Sequence, residues 1–326
     1  MKNIFNPSEL SEQQRSDLYF PKPDELKVPI AASLRFLESE SQGGAYNCYL
    51  SKQRDAKSET LSPRELGTPL FVLATCHNRG LSEGTTNAIV DYCIANIVDG
   101  RMNYFEKRGA IPDDVDTTAF GLSLLSEMGR VDLELARRSA KTVTENVDND
   151  GLIKVYFSDQ KDTLDHVTAT NALYFANLFG LRDATTKTEN WVADMLLSGE
   201  YLKGSRYYEP PEAFLYFLSR AASRFPSLGA RVAKPLIEAL RKRVDRIGPL
   251  PLEHQYPIDS AMRVTTFRNM GLVNNFDRDN LLEMARPDGS WPTDSFFKYG
   301  DKQVYFGSPA MSTAFAVEAL APLQRT

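Results

Sequence analysis

Six segments rich in small and apolar residues recur at a near-constant spacing along this 326-residue chain. They begin near Thr68, Thr117, His166, Pro211, Asp259 and Ser312, at intervals of about 45 to 53 residues. Such a period constrains architecture before local structure is argued, because each unit buries its apolar face only against a neighbour. Between the segments lie amphipathic stretches with charged faces, at 31–40, 86–98, 132–147, 189–197, 230–244 and 277–285. Each then meets a Gly-containing break: Gly43-Gly44, Asp99-Gly100, Asp150-Gly151, Gly199, Gly248-Pro249 and Asp288-Gly289. These breaks are turn signals, so short β-turn excursions should join the two kinds of helix. A helix apolar on most faces is buried all round, whereas one with a single apolar stripe covers it from outside. The expected fold is therefore all-α, an (α/α)6 toroid of six outer–inner helix pairs. Residues 1–26, polar and containing Pro21 and Pro23, read as an arm; no linker divides 27–326, which reads as one toroid domain.

In such a ring the inner helices run parallel, and their N-termini converge on one mouth. The acids delivered there are Glu65, Asp114, Asp116, Asp165, Glu209, Glu212 and Asp259, with His166 and 308–312 beside them. The densest group is Pro112-Asp113-Asp114-Val115-Asp116-Thr117-Thr118, immediately before the apolar run 119–125. Pro and acids suit a helix N-terminus, where free N–H groups and the macrodipole favour negative charge. Three ionised carboxylates so close repel one another, and exclusion of water would raise at least one pKa. A carboxylic acid kept neutral can donate a proton. Phe120, Tyr174, Phe175, Phe214, Tyr216, Phe217, Phe267 and Phe315 lie on the inner segments and are the candidate walls of an apolar cavity below these acids.

Composition narrows the function classes. The net charge is −5, and Arg241-Lys242-Arg243 is the densest basic run, which argues against a nucleic-acid partner. No apolar run approaches the length of a membrane span. The cytoplasm is the expected location. Cys48, Cys76 and Cys93 are widely spaced and form no metal or disulfide pattern.

The run from Pro112 to Ala119 resembles the proton-donating motif of class II terpene cyclases, the family of squalene–hopene cyclase and of cyclases that retain a diphosphate. Their usual pattern is Asp-x-Asp-Asp, and Asp114-Val115-Asp116-Thr117-Thr118 matches the Asp-x-Asp-Thr-Thr variant of some drimane- and diterpene-forming members. Asp288-Gly289-Ser290-Trp291-Pro292 is similar to the Gly/Trp end of the squalene-cyclase repeat. The resemblance implies an α/α toroid and protonation-initiated cyclisation of a linear isoprenoid, a prenyl diphosphate above all. It makes Asp116 the general acid, with Asp114 orienting it and Asp113 adding repulsion. His166 or Asn171, on the next inner helix, would hydrogen-bond the acid or take the final proton; His166 also reads as a plain helix-start residue. Tyr207 and Tyr208 are similarly placed one repeat further on. Phe120, Tyr174, Phe214 and Phe267 are the expected substrate walls. Arg263, with Arg64, Arg206 and Arg268, is a candidate by charge for a diphosphate contact. No metal-binding side chains are assigned, but a bound diphosphate would bring Mg²⁺ with it. The family's cyclases usually carry a further helical domain, so a homodimer, a separate partner domain or a lid such as residues 1–26 would close the site.

Three other readings compete. Asp113, Asp114 and Asp116 could chelate Mg²⁺ and ionise a prenyl diphosphate, as in class I terpene synthases. The toroid is also used by carbohydrate-active enzymes, with Asp116 and Glu212 or Asp259 as distant acid and base; Trp191 and Trp291 are the only tryptophans available as sugar platforms. A helical scaffold that binds protein or lipid would use the acids as caps alone.

Overall fold

Most helix starts along the chain coincide with residues that carry a capping oxygen or precede a proline. The computed structural model describes residues 23–54, 60–247 and 256–321. The outer helices are α1 (Pro23–Glu40), α3 (Glu83–Ala95), α5 (Leu133–Glu145), α7 (Thr186–Ser198), α9 (Pro226–Ile247) and α11 (Asn275–Glu283). The inner helices are α2 (Gly67–Cys76), α4 (Val115–Glu127), α6 (His166–Leu178), α8 (Pro211–Arg224), α10 (Pro257–Asn269) and α12 (Pro309–Leu320). Ser82, Asp114, Asp132, Asp165 and Asn274 cap their helices with side-chain oxygens. Proline instead occupies the first position of α8, α10 and α12, where its missing N–H costs nothing.

Burial separates the two kinds of helix. Every residue of α2 except Ala74 is buried, and α4 is buried from Val115 to Leu125 apart from Asp116. Outer α3 buries only Thr86, Ile89, Val90 and Cys93, a single stripe at helical spacing. Around the ring α2 packs on α4, α4 on α6, α6 on α8, α8 on α10, α10 on α12, and α12 back on α2. The six-pair toroid is therefore closed, as the repeat predicts.

The excursions are more ordered than turn signals alone imply. β1 (Tyr49–Ser51), β2 (Ser295–Lys298) and β3 (Tyr305–Gly307) form an antiparallel sheet in the order β1–β3–β2. It joins the first and last repeats above the N-terminal ends of α2 and α12. The Asp288–Trp291 turn anchors the last repeat: Trp291 is fully buried, and its indole N–H donates to the Leu281 carbonyl at 2.8 Å. Gly289 has φ +86°, and any Cβ there would run into the backbone of Ala32 on α1. The arm expected over 1–26 overlaps α1, which already begins at Pro23; residues 1–22 and the break at Gly248-Pro249 lie outside the described residues. No described helix is long and apolar enough to cross a membrane. Cys48, Cys76 and Cys93 are buried free thiols.

Candidate active site

A cavity opens at the N-terminal end of the inner helices and encloses about 730 Å³ of atom-free space, its open mouth included. Its walls are apolar and aromatic: Leu70, Phe71, Phe120 and Phe217 from the inner helices, with Tyr104, Tyr156, Tyr207, Phe297 and Phe306 from the excursions. Two acids, Asp114 and Asp116, reach it, together with Lys298.

Local structure gives the motif's three acids different tasks. Asp114 is extended (φ −124°, ψ 148°) and caps α4. Its Oδ1 accepts the Thr117 N–H at 2.7 Å, and its Oδ2 accepts the Tyr104 N–H at 2.9 Å. Burial raises its pKa to about 7, against the pull of those donors. Asp113 points elsewhere: it pairs with Arg108 and accepts from Asn103 at 3.2 Å, and it does not line the cavity. Asp116, in the first turn of α4, lines the cavity. Its Oδ1 accepts from Asn171 Nδ2 at 2.8 Å, and its Oδ2 accepts the Tyr208 hydroxyl. Desolvation raises its pKa to about 6; the two donors act in the opposite sense, and the nearby Asp165 charge adds to the rise.

The other acids at this end are engaged structurally. Glu65 accepts the Thr68 N–H at 3.0 Å, and Asp165 accepts those of Val167 and Thr168 at 2.9 and 3.2 Å. Glu212 pairs with Arg243 and Arg263, and Asp259 with Arg54. Glu209 accepts from Tyr305. Asp116 alone of this group combines a place on the cavity wall with side-chain partners that are all uncharged in the neutral range. A cation beside it would hold it ionised; amide and phenol partners leave protonation open.

The remaining predicted residues separate by direction. Phe120, Asn171, Tyr207 and Tyr208 line the cavity with Asp116. His166 does not: it lies edge-on to Phe214, with Nε2 buried and unpartnered and its pKa lowered by burial. Phe214 also stacks on Tyr201, and Phe267 is buried in α10 away from the cavity. Tyr174 faces the opposite end of the ring, where its hydroxyl donates to Glu127 at 2.7 Å. Arg263 is committed to Asp277 and Glu212, and Arg268 donates to the Glu318 carbonyl at 2.7 Å near the end of α12. Neither reaches the cavity. Sequence reasoning missed Gly67, Tyr104, Phe105, Tyr156, Phe297 and Lys298 as lining residues. The aromatics following the Asp99-Gly100 and Asp150-Gly151 breaks were the available signal for Tyr104 and Tyr156.

The acids do not fit a metal chelate. Asp113, Asp114 and Asp116 diverge into an ion pair, a helix cap and an amide–phenol clamp. Among the described residues no group of three His, Cys, Asp or Glu side chains is arranged to hold a metal ion. The acid–base pair of a carbohydrate-active toroid is likewise not assembled, since Glu212 and Asp259 sit in buried ion pairs off the cavity. Trp191 and Trp291 do not line it either.

Known proteins resemble this chain in three ways. Residues 70–178 match the family model described as the sesquiterpene cyclase astC-like C-terminal domain. Drimenol cyclase drtB of Aspergillus calidoustus is 29% identical over 214 residues, which are 64% of this chain and 38% of that protein. The chain thus spans well under half the length of that curated relative. In solved structures, a variant of the type II terpene cyclase MstE from Scytonema, in complex with geranylgeranyl dihydroxybenzoate, superposes with a TM-score of 0.66 at 17% identity, covering 93% of this chain and 98% of that one. A possible member of the GH105 family from Klebsiella pneumoniae gives 0.54 at 14% identity, over 98% and 97%. The two structural likenesses establish the shared toroid.

Proposed function

We propose that this chain, like the terpene cyclases it resembles, carries out protonation-initiated cyclisation of a linear isoprenoid, with Asp116 as general acid and a prenyl diphosphate as the preferred substrate. The observation that carries this reading is a carboxyl group on the wall of an aromatic cavity, held by Asn171 and Tyr208. Its pKa of about 6 keeps a usable protonated fraction near neutrality. An alkene is a very weak base, so the proton must come from a desolvated donor already aimed at the double bond. Asn171 and Tyr208 fix the carboxyl plane and support its negative charge once the proton has left. The cation then moves along the chain between faces of Phe71, Phe120, Phe217 and Phe297, which stabilise positive charge without acting as nucleophiles. Drimenol cyclase drtB and MstE with its geranylgeranyl ligand supply the class of substrate by analogy.

Lys298 favours an anionic headgroup. It is the one basic side chain on the cavity wall among the described residues, and it is half-buried on β2. A diphosphate anchored there would lay its hydrocarbon chain toward Asp116. Any Mg²⁺ that came with it would find its oxygen ligands on the phosphates and water, since the motif acids are engaged elsewhere; no step here depends on it. Protonation is favoured over ionisation because the three acids diverge rather than converge on one ion.

The test incubates the chain with farnesyl and geranylgeranyl diphosphates, with Mg²⁺ and with chelator, and analyses products before and after phosphatase. Cyclic products released only by phosphatase, and absent with Asp116→Asn, support the proposal. Cyclic hydrocarbon released without phosphatase, and only with Mg²⁺, would replace it with ionisation. Lys298→Ala should raise KM for the diphosphate about tenfold and leave kcat within a few-fold, the pattern of lost uniform binding.

A further inference from the structure

A second space lies at the opposite end of the ring, where the inner helices finish. It encloses about 1,460 Å³ of atom-free volume, open solvent included. Its lining is charged: Glu127 closes α4, Arg220 projects from α8, and Glu318 from α12, with Arg130 beyond them. Glu127 and Arg220 both keep accessible side-chain surface, 28% and 21%. This rear space is a charged vestibule open to solvent, in contrast to the apolar front cavity.

Phe120 is the side chain common to both spaces. Its ring is stacked on Phe71 at 4.7 Å between centroids and meets Phe217 edge-on at 5.9 Å. From the rear, the Arg220 guanidinium lies 4.9 Å from the Phe120 centroid and 4.3 Å from that of Tyr174. Glu127 holds Arg220 there, with N···O 3.8 Å. Phe120 thus stands between the apolar front cavity and the charged rear space.

We infer that Phe120, braced from behind by Arg220, is the seal that keeps vestibule water from the carbocation, and so sets the ratio of olefinic to hydroxylated product. This rests on the cyclase reading above. Two endings compete for the final cation. A proton lost from an adjacent carbon leaves its bonding pair as a new C=C bond. Alternatively, a water oxygen lone pair forms a C–O bond, and that oxygen then loses a proton to solvent, giving an alcohol. Water is the only co-reactant needed, and the rear vestibule brings solvent up behind Phe120. Phe120 touches substrate space; Arg220 does not line the front cavity and acts as a positioning residue through the ring.

The experiment runs the chain with farnesyl diphosphate in ¹⁸O-labelled water and dephosphorylates the products afterwards in ordinary water. The ratio of ring-hydroxylated, ¹⁸O-bearing product to cyclic olefin is then measured. Phe120→Ala and Arg220→Ala should each raise this ratio at least tenfold. Arg220→Lys, which keeps a cation but loses the planar stack, should fall between wild type and Arg220→Ala. An unchanged ratio in both alanine variants, with substrate still consumed, overturns the seal. A second readout needs no turnover: 4-fluorophenylalanine at Phe217 reports water contact through the H₂O/D₂O shift of its ¹⁹F resonance. That shift should grow in both alanine variants, and identical shifts in all three proteins would also overturn the inference. If the wild type forms no cyclic product, the cyclase reading fails, and the ¹⁹F measurement decides the seal by itself.

Discussion

Tyr208→Phe isolates the balance of forces on Asp116. The substitution removes one of two neutral donors to the carboxyl while leaving a ring to pack against Phe217, Phe296 and Phe297. A hydrogen bond to a charged group contributes about 1.5–3 kcal/mol, and one pKa unit corresponds to about 1.4 kcal/mol. Losing it should therefore carry the acid from about 6 to roughly 7–8. At pH 7 the protonated fraction would rise from roughly a tenth to half or more. The alkaline limb of kcat/KM, which reports loss of the proton from free enzyme, should move up by about 1 to 2 pH units. Stability carries the same sign. The folded pKa lies above the unfolded one, so this group's contribution is fully present below about pH 4 and is lost as pH rises through the folded value. Urea denaturation should find variant and wild type within about 1 kcal/mol of each other at pH 5, where both acids are mostly neutral. At pH 8 the variant should be weaker by about 1.5–3 kcal/mol, because its carboxylate has lost a donor. An alkaline limb that stays in place or moves to lower pH would refute the argument. So would a stability difference equal at the two pH values.

Asp114→Ala removes the cap of α4 and leaves the Thr117 and Tyr104 N–H groups without their acceptor; chemical denaturation should show a loss of about 2–4 kcal/mol. Asp114→Asn should keep most of that at low pH and flatten the decline that wild type shows as pH rises through about 7, where its own raised carboxyl ionises. Gly67→Ala puts a Cβ 2.7 Å from the Phe297 ring and 2.8 Å from Glu65. It should cost about 1–3 kcal/mol and displace Phe297 from the cavity wall, which a crystal structure of the variant would reveal.

The ring was legible because its signal is long-range and repeated. Six apolar segments at one spacing, alternating with striped helices, admit few arrangements, and inner helix starts fell within a few residues of the positions expected. Asn171 and Tyr208 were named as companions of Asp116 because equivalent positions in successive repeats arrive at the same mouth. Side-chain direction was less legible. A helix buried on every face carries no apolar stripe to set its rotation, so Phe120 toward the cavity, Tyr174 toward the vestibule and Phe214 toward Tyr201 look alike in sequence. Arg263 shows the limit of charge: its partner Asp277 is on the next outer helix, and no local pattern distinguishes a buried pair from a surface arginine. The wall from β2 was missed because a four-residue strand with a register irregularity shows no clear alternation.

The central claim is that a proton from Asp116 becomes a carbon-bound hydrogen of the product, and a single-turnover reaction in D₂O tests it most directly. The chain is equilibrated in D₂O at pD 6, mixed with farnesyl diphosphate, quenched and dephosphorylated, and the cyclic product is analysed by mass spectrometry and ²H NMR. The account predicts one deuterium per molecule, on the ring methylene carbon that was the CH of the protonated terminal alkene, and no cyclic product with Asp116→Asn. Cyclic product without deuterium, or unchanged labelling with Asp116→Asn, would contradict it.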